Sequence, residues 1–265
     1  MKKSVFYFPI WGDSYIKLFS DFALKCLYKN LNEIDDKLLK SSKIEIWTFK
    51  KDIPKLNALK NIRLLKKKIT INIESIDIIY NSLIKSNLNK YQTLSILQKI
   101  FINTHSYKFK YFWFIYPDFI FSNKMIKNFF NLKKKYDAYF IPVPQLVEEK
   151  IKIKFKDNNF ETSAKNITEL LFNFLHPIVK ICDVENSKTN TPSMFFVSDQ
   201  NTHVFKYFHM HPIILKSDID NLEMNNEFYS SLDEGLVKTL NEKKIFIIKN
   251  NNFGICISLL KEKEY

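Results

Sequence analysis

The sequence contains little glycine, with only 3 Gly among 265 residues. The glycine-dependent motifs G-x-x-x-x-G-K-[ST], G-x-G-x-x-G and G-x-S-x-G are absent from it. This absence argues against P-loop kinases, dinucleotide-dependent oxidoreductases and serine hydrolases that use a nucleophile elbow. With only 8 Pro as well, the composition excludes collagen-like and Gly/Pro-rich low-complexity chains.

Cysteine and long hydrophobic runs are also scarce. Cys26, Cys182 and Cys256 are odd in number, far apart and without C-x-x-C spacing, which argues against a disulfide framework or a zinc ribbon. No stretch approaches the ~20 apolar residues of a membrane-spanning helix. The apolar run near the start of the sequence meets Gly12 too early for a signal peptide. We therefore expect a cytoplasmic protein.

Arginine is almost missing from a strongly basic chain. The formal net charge is +13, from 41 Lys+Arg and 28 Asp+Glu, yet Arg63 is the only arginine. Basic chains attract nucleic acid and anionic membranes, but arginine is the residue that best recognises phosphate and guanine in a bidentate manner. We interpret the charge as lysine-rich background and as attraction to a small phosphate or an anionic membrane surface, rather than to nucleic acid.

The residues that are abundant predict an α/β protein. Hydrophobic residues make up 46% and aromatic residues 15% of the chain, which excludes disorder and suffices for a large core. Short apolar runs alternate with segments of helical periodicity, as in α/β folds with a largely parallel sheet. Predicted strands cover 4–10, 44–49, 111–116, 138–143, 193–197, 208–216, 245–248 and 254–259. Predicted helices cover 13–31, 53–59, a segment from 89 or 90 to about 100, a segment capped by Ser122 that ends at 133–135, 167–175 and 227–240.

The second half of the sequence is less regular. A loop or exposed hairpin is predicted over 148–159, where charged residues cluster. No linker or internal repeat divides the chain, so a single domain over 1–265 is expected. Residues 1–145 would form its nucleotide-binding half and residues 146–265 its acceptor side.

Two predicted strand ends carry candidate ligand contacts. After the first strand, Trp11 and Gly12 lie at a sharp turn into a helix, where backbone N–H groups and an aromatic ring could border a nucleotide. Asp118 follows the hydrophobic 111–116 strand, at the edge where ligand crevices form in α/β sheets. The alternatives are a simple strand–helix turn with Trp11 in the core, and an Asp that only binds turn N–H groups.

Two later clusters could supply further chemistry. His209 and His211 would share one face of a strand and could bind a metal or a phosphate, although such alternation also occurs without function. Asp233 or Glu234 could act as a general base. The alternative for this pair is an acidic first helical turn, which the helix dipole favours.

The order of these segments resembles bacterial glycosyltransferases of the GT-A fold, of the cell-surface polysaccharide type. The resemblance rests on short motifs spread over most of the chain. These are Pro-x-Trp-Gly-x-x-Tyr at Pro9, Trp11, Gly12 and Tyr15, a strand with Thr48 like the family's "iyTt" segment, Pro-Asp-Phe-Ile-Phe-Ser at 117–122, Phe-His-x-His-Pro-Ile-Ile at 208–214, and Leu-Asp-Glu near Asp233.

The resemblance implies a GT-A-like, Rossmann-like sheet that binds a nucleotide-sugar donor, with a glycan or lipid-linked acceptor. It implies a catalytic role for Asp233 and Glu234. The implied nucleotide-binding residues are Pro9, Trp11, Gly12, Tyr15, Thr48 and Asp118. The implied ligands of a divalent Mn²⁺ or Mg²⁺ are Asp118, His209 and His211.

One departure from the family pattern affects the metal. A GT-A Asp-x-Asp motif would place a second carboxylate at position 120, where this sequence has Ile120. A single carboxylate is a poor site for Mg²⁺ or Mn²⁺ unless histidine or a substrate phosphate completes the ligand shell. A metal-free site, with Lys or His on the diphosphate, is the alternative.

Three functions follow from these observations. The first is sugar transfer from a nucleotide donor, by a cytoplasmic enzyme free or attached to the inner face of the cytoplasmic membrane. The second is a catalytically decayed nucleotide-sugar or glycan-binding protein, which the residue at position 120 favours. The third is a basic protein that binds a membrane surface or RNA.

Overall fold

The strands form largely where apolar runs occur in the sequence. The computed structural model describes residues 4–85, 88–132, 136–156, 160–180, 194–198, 203–207, 210–217, 244–248 and 253–263. Its strands are β1 (Ser4–Pro9), β2 (Lys43–Thr48), β3 (Thr70–Ser75), β4 (Tyr111–Phe114), β5 (Phe119–Phe121), β6 (Ala138–Pro142), β7 (Gln145–Val147), β8 (Met194–Ser198), β9 (His203–Tyr207), β10 (Met210–Lys216), β11 (Ile245–Ile247) and β12 (Cys256–Leu260).

The helices connect these strands. They are α1 (Asp13–Leu18), α2 (Leu24–Asn32), α3 (Asp36–Lys40), α4 (Ile53–Ala58), α5 (Lys60–Leu65), α6 (Asp77–Ile84), α7 (Lys90–His105), α8 (Met125–Asn131), α9 (Glu148–Lys154), α10 (Ala164–Phe174) and α11 (Pro177–Lys180). A π-helical turn, Phe19–Ala23, joins α1 to α2, and a 3-10 turn, Lys50–Asp52, precedes α4.

A central seven-stranded sheet has the order β11-β6-β10-β4-β1-β2-β3. Its neighbouring strands pair in parallel, except that β10 is antiparallel to both β4 and β6. Strands β1 and β4 are buried along their whole length, which explains why their sequences are hydrophobic at every position. The predicted α/β class with a mostly parallel central sheet is confirmed.

Helices cover both faces of the central sheet. On one face, Phe6 and Phe8 of β1 share a core with Phe22 and Leu27 from the first helical region. On the other face, residues such as Tyr7 pack in a second core with helices α6 and α7. Alternate residues of β1 thus enter two different cores, as the period of two in a strand requires. No helix among the described residues is long and apolar enough to cross a membrane.

Three elements differ from the sequence-based predictions. Residues 148–154 form helix α9 rather than a loop, because Glu148, Ile151 and Phe155 face inward at helical spacing. Ser122 does not cap α8: its Oγ accepts a hydrogen bond from the Ile255 backbone N–H at 3.0 Å, and α8 begins after Lys124. The predicted helix 227–240 lies outside the described residues.

A small second sheet supports the segment that follows β4. Its strand order is β5-β12-β7, with β12 antiparallel to β5 and parallel to β7. The Leu259 backbone N–H donates to the Asp118 carbonyl at 3.1 Å, and the Ser122 N–H donates to the Ile255 carbonyl at 2.9 Å. Strand β12 therefore holds both ends of the 118–122 segment.

Two cysteines are expected to be inert in the folded protein. Burial raises the pKa of Cys26 to about 12 and also raises the pKa of Cys256, so both remain neutral thiols, which are poor nucleophiles. In a Cys182→Ser variant, a thiol reagent at pH 8 should label neither cysteine until denaturant is added, and should then label both. Rapid labelling of the native protein would contradict this expectation, and a Cys26→Ser variant would identify the reactive thiol.

Candidate functional site

The strand order creates a topological switch point between β1 and β4. The chain runs from β1 to β2 and β3 on one side, and β4 then pairs with the other side of β1. Connections leave neighbouring parallel strands in opposite directions at such a point, which opens a crevice beyond their carboxyl ends. The residues that follow β1 include Trp11 and Gly12, and those that follow β4 include Asp118. The sheet thus brings two predicted site segments to the same edge.

The turn after β1 depends on Gly12. Its backbone has φ 82° and ψ 151°, a conformation that residues with a Cβ rarely adopt. The Gly12 N–H donates to Asp52 Oδ2 at 2.9 Å, and Asp52 is fully buried. Lys55 Nζ lies 3.2 Å from the other oxygen, Oδ1. A buried carboxylate after β2 therefore fixes the turn that follows β1.

Replacing Gly12 with alanine should destabilise the protein by about 1–3 kcal/mol. An added Cβ would meet no atom within 4 Å, so the cost comes from backbone conformation rather than from a clash. Thermal unfolding of Gly12→Ala measures this loss, with Ser14→Ala as the control at an exposed position of the same turn. Equal stability of the two variants would show that the turn does not need a glycine.

Charged groups at the same edge pair with one another. Lys55 hydrogen-bonds Asp13, which lowers the pKa of the Asp13 carboxyl and raises the pKa of the Lys55 ammonium. After β3, a hydrogen bond from the Ser75 hydroxyl, and then one from the Lys50 N–H at 2.7 Å, lower the pKa of Asp77. These carboxylates stay ionised at neutral pH and brace the loops around the crevice.

An aromatic cluster lies beside the Gly12 turn. The ring centroids of Trp11 and Phe49 are 6.1 Å apart, those of Trp11 and Tyr80 6.2 Å, and those of Phe49 and Tyr80 4.9 Å. Lys51 Nζ lies 5.8 Å from the Phe49 ring centroid. The half-buried Trp11 ring and the Lys51 ammonium therefore occupy the same edge of the sheet as Asp118.

Asp118 is half-buried in a loop that is anchored from several sides. Its backbone carbonyl accepts the hydrogen bond from β12 described above. Two residues earlier, Tyr116 Oη accepts a hydrogen bond from Gln98 Nε2 at 2.7 Å. The Tyr116 ring packs against His211 and Phe119, with centroid distances of 4.8 and 5.2 Å. The loop is thus held in place by both sheets and by α7.

His211 lies next to this loop but is committed to a backbone contact. The side chain is 2% exposed, and its Nε2 lies 3.1 Å from the Phe114 carbonyl oxygen. A carbonyl can only accept, so Nε2 carries the proton and cannot bind a cation while this bond is made. Among the described residues, no three His, Cys, Asp or Glu side chains form a metal-binding group. These residues alone do not fit a Mn²⁺ or Mg²⁺ shell.

The other predicted contacts occupy different surroundings. Pro9 and Thr48 are buried at the ends of β1 and β2, and within the described chain the Thr48 hydroxyl has no hydrogen-bond partner. Tyr15 is half-buried on α1 and packs against the first core. His209, Asp233 and Glu234 lie outside the described residues, so their predicted roles stay predictions.

The structure adds polar groups that the sequence patterns did not indicate. Asp52, Lys55 and Asp77 bracket the crevice, although each follows a strand in the way that marked Asp118. Tyr7 Oη and Trp47 Nε1 are buried and find no hydrogen-bond partner in the described part of the chain. Both sit inside hydrophobic strand sequences, which give no sign of a polar atom in need of a partner.

Solved structures of glycosyltransferases are similar to this chain at low identity. S. aureus TarS, residues 1–349, has a TM-score of 0.47 and 13% identity, covering 98% of this chain and 60% of TarS 1–349. Mouse xyloside xylosyltransferase 1 in its apo form has a TM-score of 0.40 and 10% identity, covering 59% of each chain. A further S. aureus TarS structure has a TM-score of 0.36 and 12% identity, covering 55% of this chain and 22% of TarS.

The chain spans about three-fifths of the length of two of these structures and about a fifth of the third. No family model matches the sequence, and no curated protein matches it.

Proposed function

We propose that the protein is a glycosyltransferase that moves a sugar from a nucleotide-sugar donor to a cell-surface glycan or a lipid-linked acceptor. The observation that carries the proposal is the meeting of the Gly12 turn and the Asp118 loop at the switch point of a mostly parallel sheet. Ligands of such sheets bind in this crevice. The resemblance of the sequence motifs to GT-A glycosyltransferases supports the nature of the ligand.

The donor would lie across the carboxyl edge. The half-buried Trp11 ring offers an apolar face to a nucleobase, and Lys51 supplies positive charge for the diphosphate. The Asp118 carboxylate is an acceptor for sugar hydroxyls, since a carboxylate and a bare diphosphate repel each other. No step is assigned to a metal, because the described residues do not build its ligand shell.

In the transfer, an acceptor hydroxyl oxygen bonds to the anomeric carbon of the sugar. The bond between that carbon and the diphosphate oxygen breaks, and its electron pair leaves with the diphosphate. The hydroxyl proton passes to a general base, a role that the resemblance assigns to Asp233 or Glu234. Cationic side chains near the departing diphosphate would stabilise its developing charge.

A panel of UDP-, GDP- and CMP-sugars tests the proposal by thermal unfolding, with and without Mn²⁺. One donor should raise the midpoint by about 5 °C or more at a hundredfold excess over its dissociation constant. Release of the free nucleotide in the presence of acceptor would then demonstrate transfer. Absence of any shift across the panel would refute donor binding.

A specific observation favours donor binding without catalysis as the second candidate. Ile120 is fully buried in β5, in register with Ile257 of β12. The place of a second GT-A carboxylate is thus part of the core and points to no ligand. Under this alternative, a donor shifts the unfolding midpoint, but neither transfer nor hydrolysis is detected.

A further inference from the structure

A second pocket lies within the helical layer, below the carboxyl edge. It has a volume of about 330 Å³ and is lined by Ser20, Leu24, Lys25, Lys60 and Asn61. The first three residues belong to the π-helical turn and α2, and the last two belong to α5. Ser20 follows the start of α1 by seven positions, which is about 10 Å along a helix. The pocket is therefore separate from the Gly12 turn.

The lining of this pocket suits an anion. Lys25 and Lys60 have no carboxylate partner among the residues that the structure describes, and Lys25 Nζ is held 5.8 Å from the Phe160 ring centroid. Two ammonium groups on one small pocket repel each other unless an anion neutralises them. The Ser20 hydroxyl and the Asn61 amide add hydrogen-bond donors, and only Leu24 is apolar.

The local backbone also distinguishes this position. Residues Phe19–Ala23 form a π-helical turn, a rare irregularity that often marks functional positions in helices. Ser20 lies in this turn. The acidic residue of the same turn, Asp21, is paired with Lys17 at 3.5 Å, so its charge is already compensated. The lysines of the pocket keep their charge available for a ligand.

We propose that this pocket binds a phosphate group. Lys25 and Lys60 supply the charge, and Ser20 and Asn61 donate hydrogen bonds to the phosphate oxygens. The same chemistry could come from a small phosphorylated molecule or from the headgroup of an anionic lipid. The proposal does not depend on sugar transfer, because it concerns a different part of the molecule.

Titration of the full chain with inorganic phosphate, followed by phosphorus NMR line width, tests the site. We expect saturable binding with a dissociation constant of about 1 mM, a value suited to a small isolated ligand. Lys25→Gln and Lys60→Gln should each weaken binding about tenfold, as expected for loss of one charged contact. Lys127→Gln, an exposed lysine of α8, and Asp118→Asn at the carboxyl edge should leave it unchanged.

Each outcome decides the proposal. Absence of saturable binding would overturn it, as would equal binding by Lys60→Gln and the unaltered protein, or an equal loss in Lys127→Gln. Circular dichroism of each variant separates lost binding from lost folding. Sedimentation with phosphatidylcholine vesicles, with and without phosphatidic acid, identifies the source: Lys60-dependent binding to the acidic vesicles indicates a lipid headgroup, and phosphate binding alone indicates a soluble ligand.

Discussion

Replacing Asp118 with asparagine should reduce sugar transfer about a hundred- to a thousandfold, the loss typical of removing one preorganised polar group from a catalytic site. The substitution keeps the size of the side chain but removes its charge. The loop should stay in place, because it is held through the Asp118 backbone carbonyl and through Tyr116 and Phe119. Initial rates with the best donor, measured beside unfolding midpoints, test this expectation.

A matched control is Asp36→Asn, at an exposed position of α3. It removes the same charge from the protein, so it accounts for any effect of net charge on an anionic donor. Asp36→Asn should retain full activity and donor affinity. Retention of full activity by Asp118→Asn as well would remove Asp118 from the site, even if the crevice binds the donor.

Replacing Glu45 with alanine should lower the free energy of unfolding by about 3–5 kcal/mol, the usual cost of removing one partner of a buried ion pair. Glu45 is fully buried on β2. Its carboxylate contacts Lys43 Nζ and lies 3.3 Å from His105 Nε2. His105 also lies 3.0 Å from the Phe101 carbonyl through Nδ1, and its ring stacks on Phe101. Denaturant unfolding measures the loss.

Two further variants separate the ion pair from simple loss of packing. Glu74→Ala, at an exposed position of the neighbouring strand β3, should change the stability by no more than about 0.5 kcal/mol. A Glu45→Met, His105→Leu double variant should recover most of the stability, because apolar groups of similar volume can replace a buried pair. Equal losses in the single and double variants would assign the effect to packing.

The sequence predicted the buried strands well, because a strand covered on both faces must be hydrophobic at every position. Strands β1 and β4 were found for this reason. Strand β3 lies at the edge of the central sheet, and its residues are half-buried or exposed. Its polar sequence therefore carries no strand signal. Helix α9 was missed because lysines outnumber the few inward-facing positions that give it helical periodicity.

The candidate site was predictable only where one short segment carries the signal. Asp118 directly follows a hydrophobic strand, so its position beside the crevice could be inferred. The role of Asp52 depends on a hydrogen bond with Gly12, 40 positions away in the sequence. Such a contact exists only once β1 and β2 are paired. No local pattern reports it, and the phosphate pocket between α2 and α5 was missed for the same reason.

The support of the Asp118 loop by β12 has a consequence for the order of folding. The bond between the Ser122 hydroxyl and the Ile255 N–H joins residues 133 positions apart. Contacts of such long sequence separation form late, since the chain must close a large loop first. During synthesis, strands β1 to β4 can pair well before residues 255–260 leave the ribosome. A growing chain therefore acquires its main sheet early but remains without an ordered Asp118 loop, and so without a working crevice, until this distant strand is added.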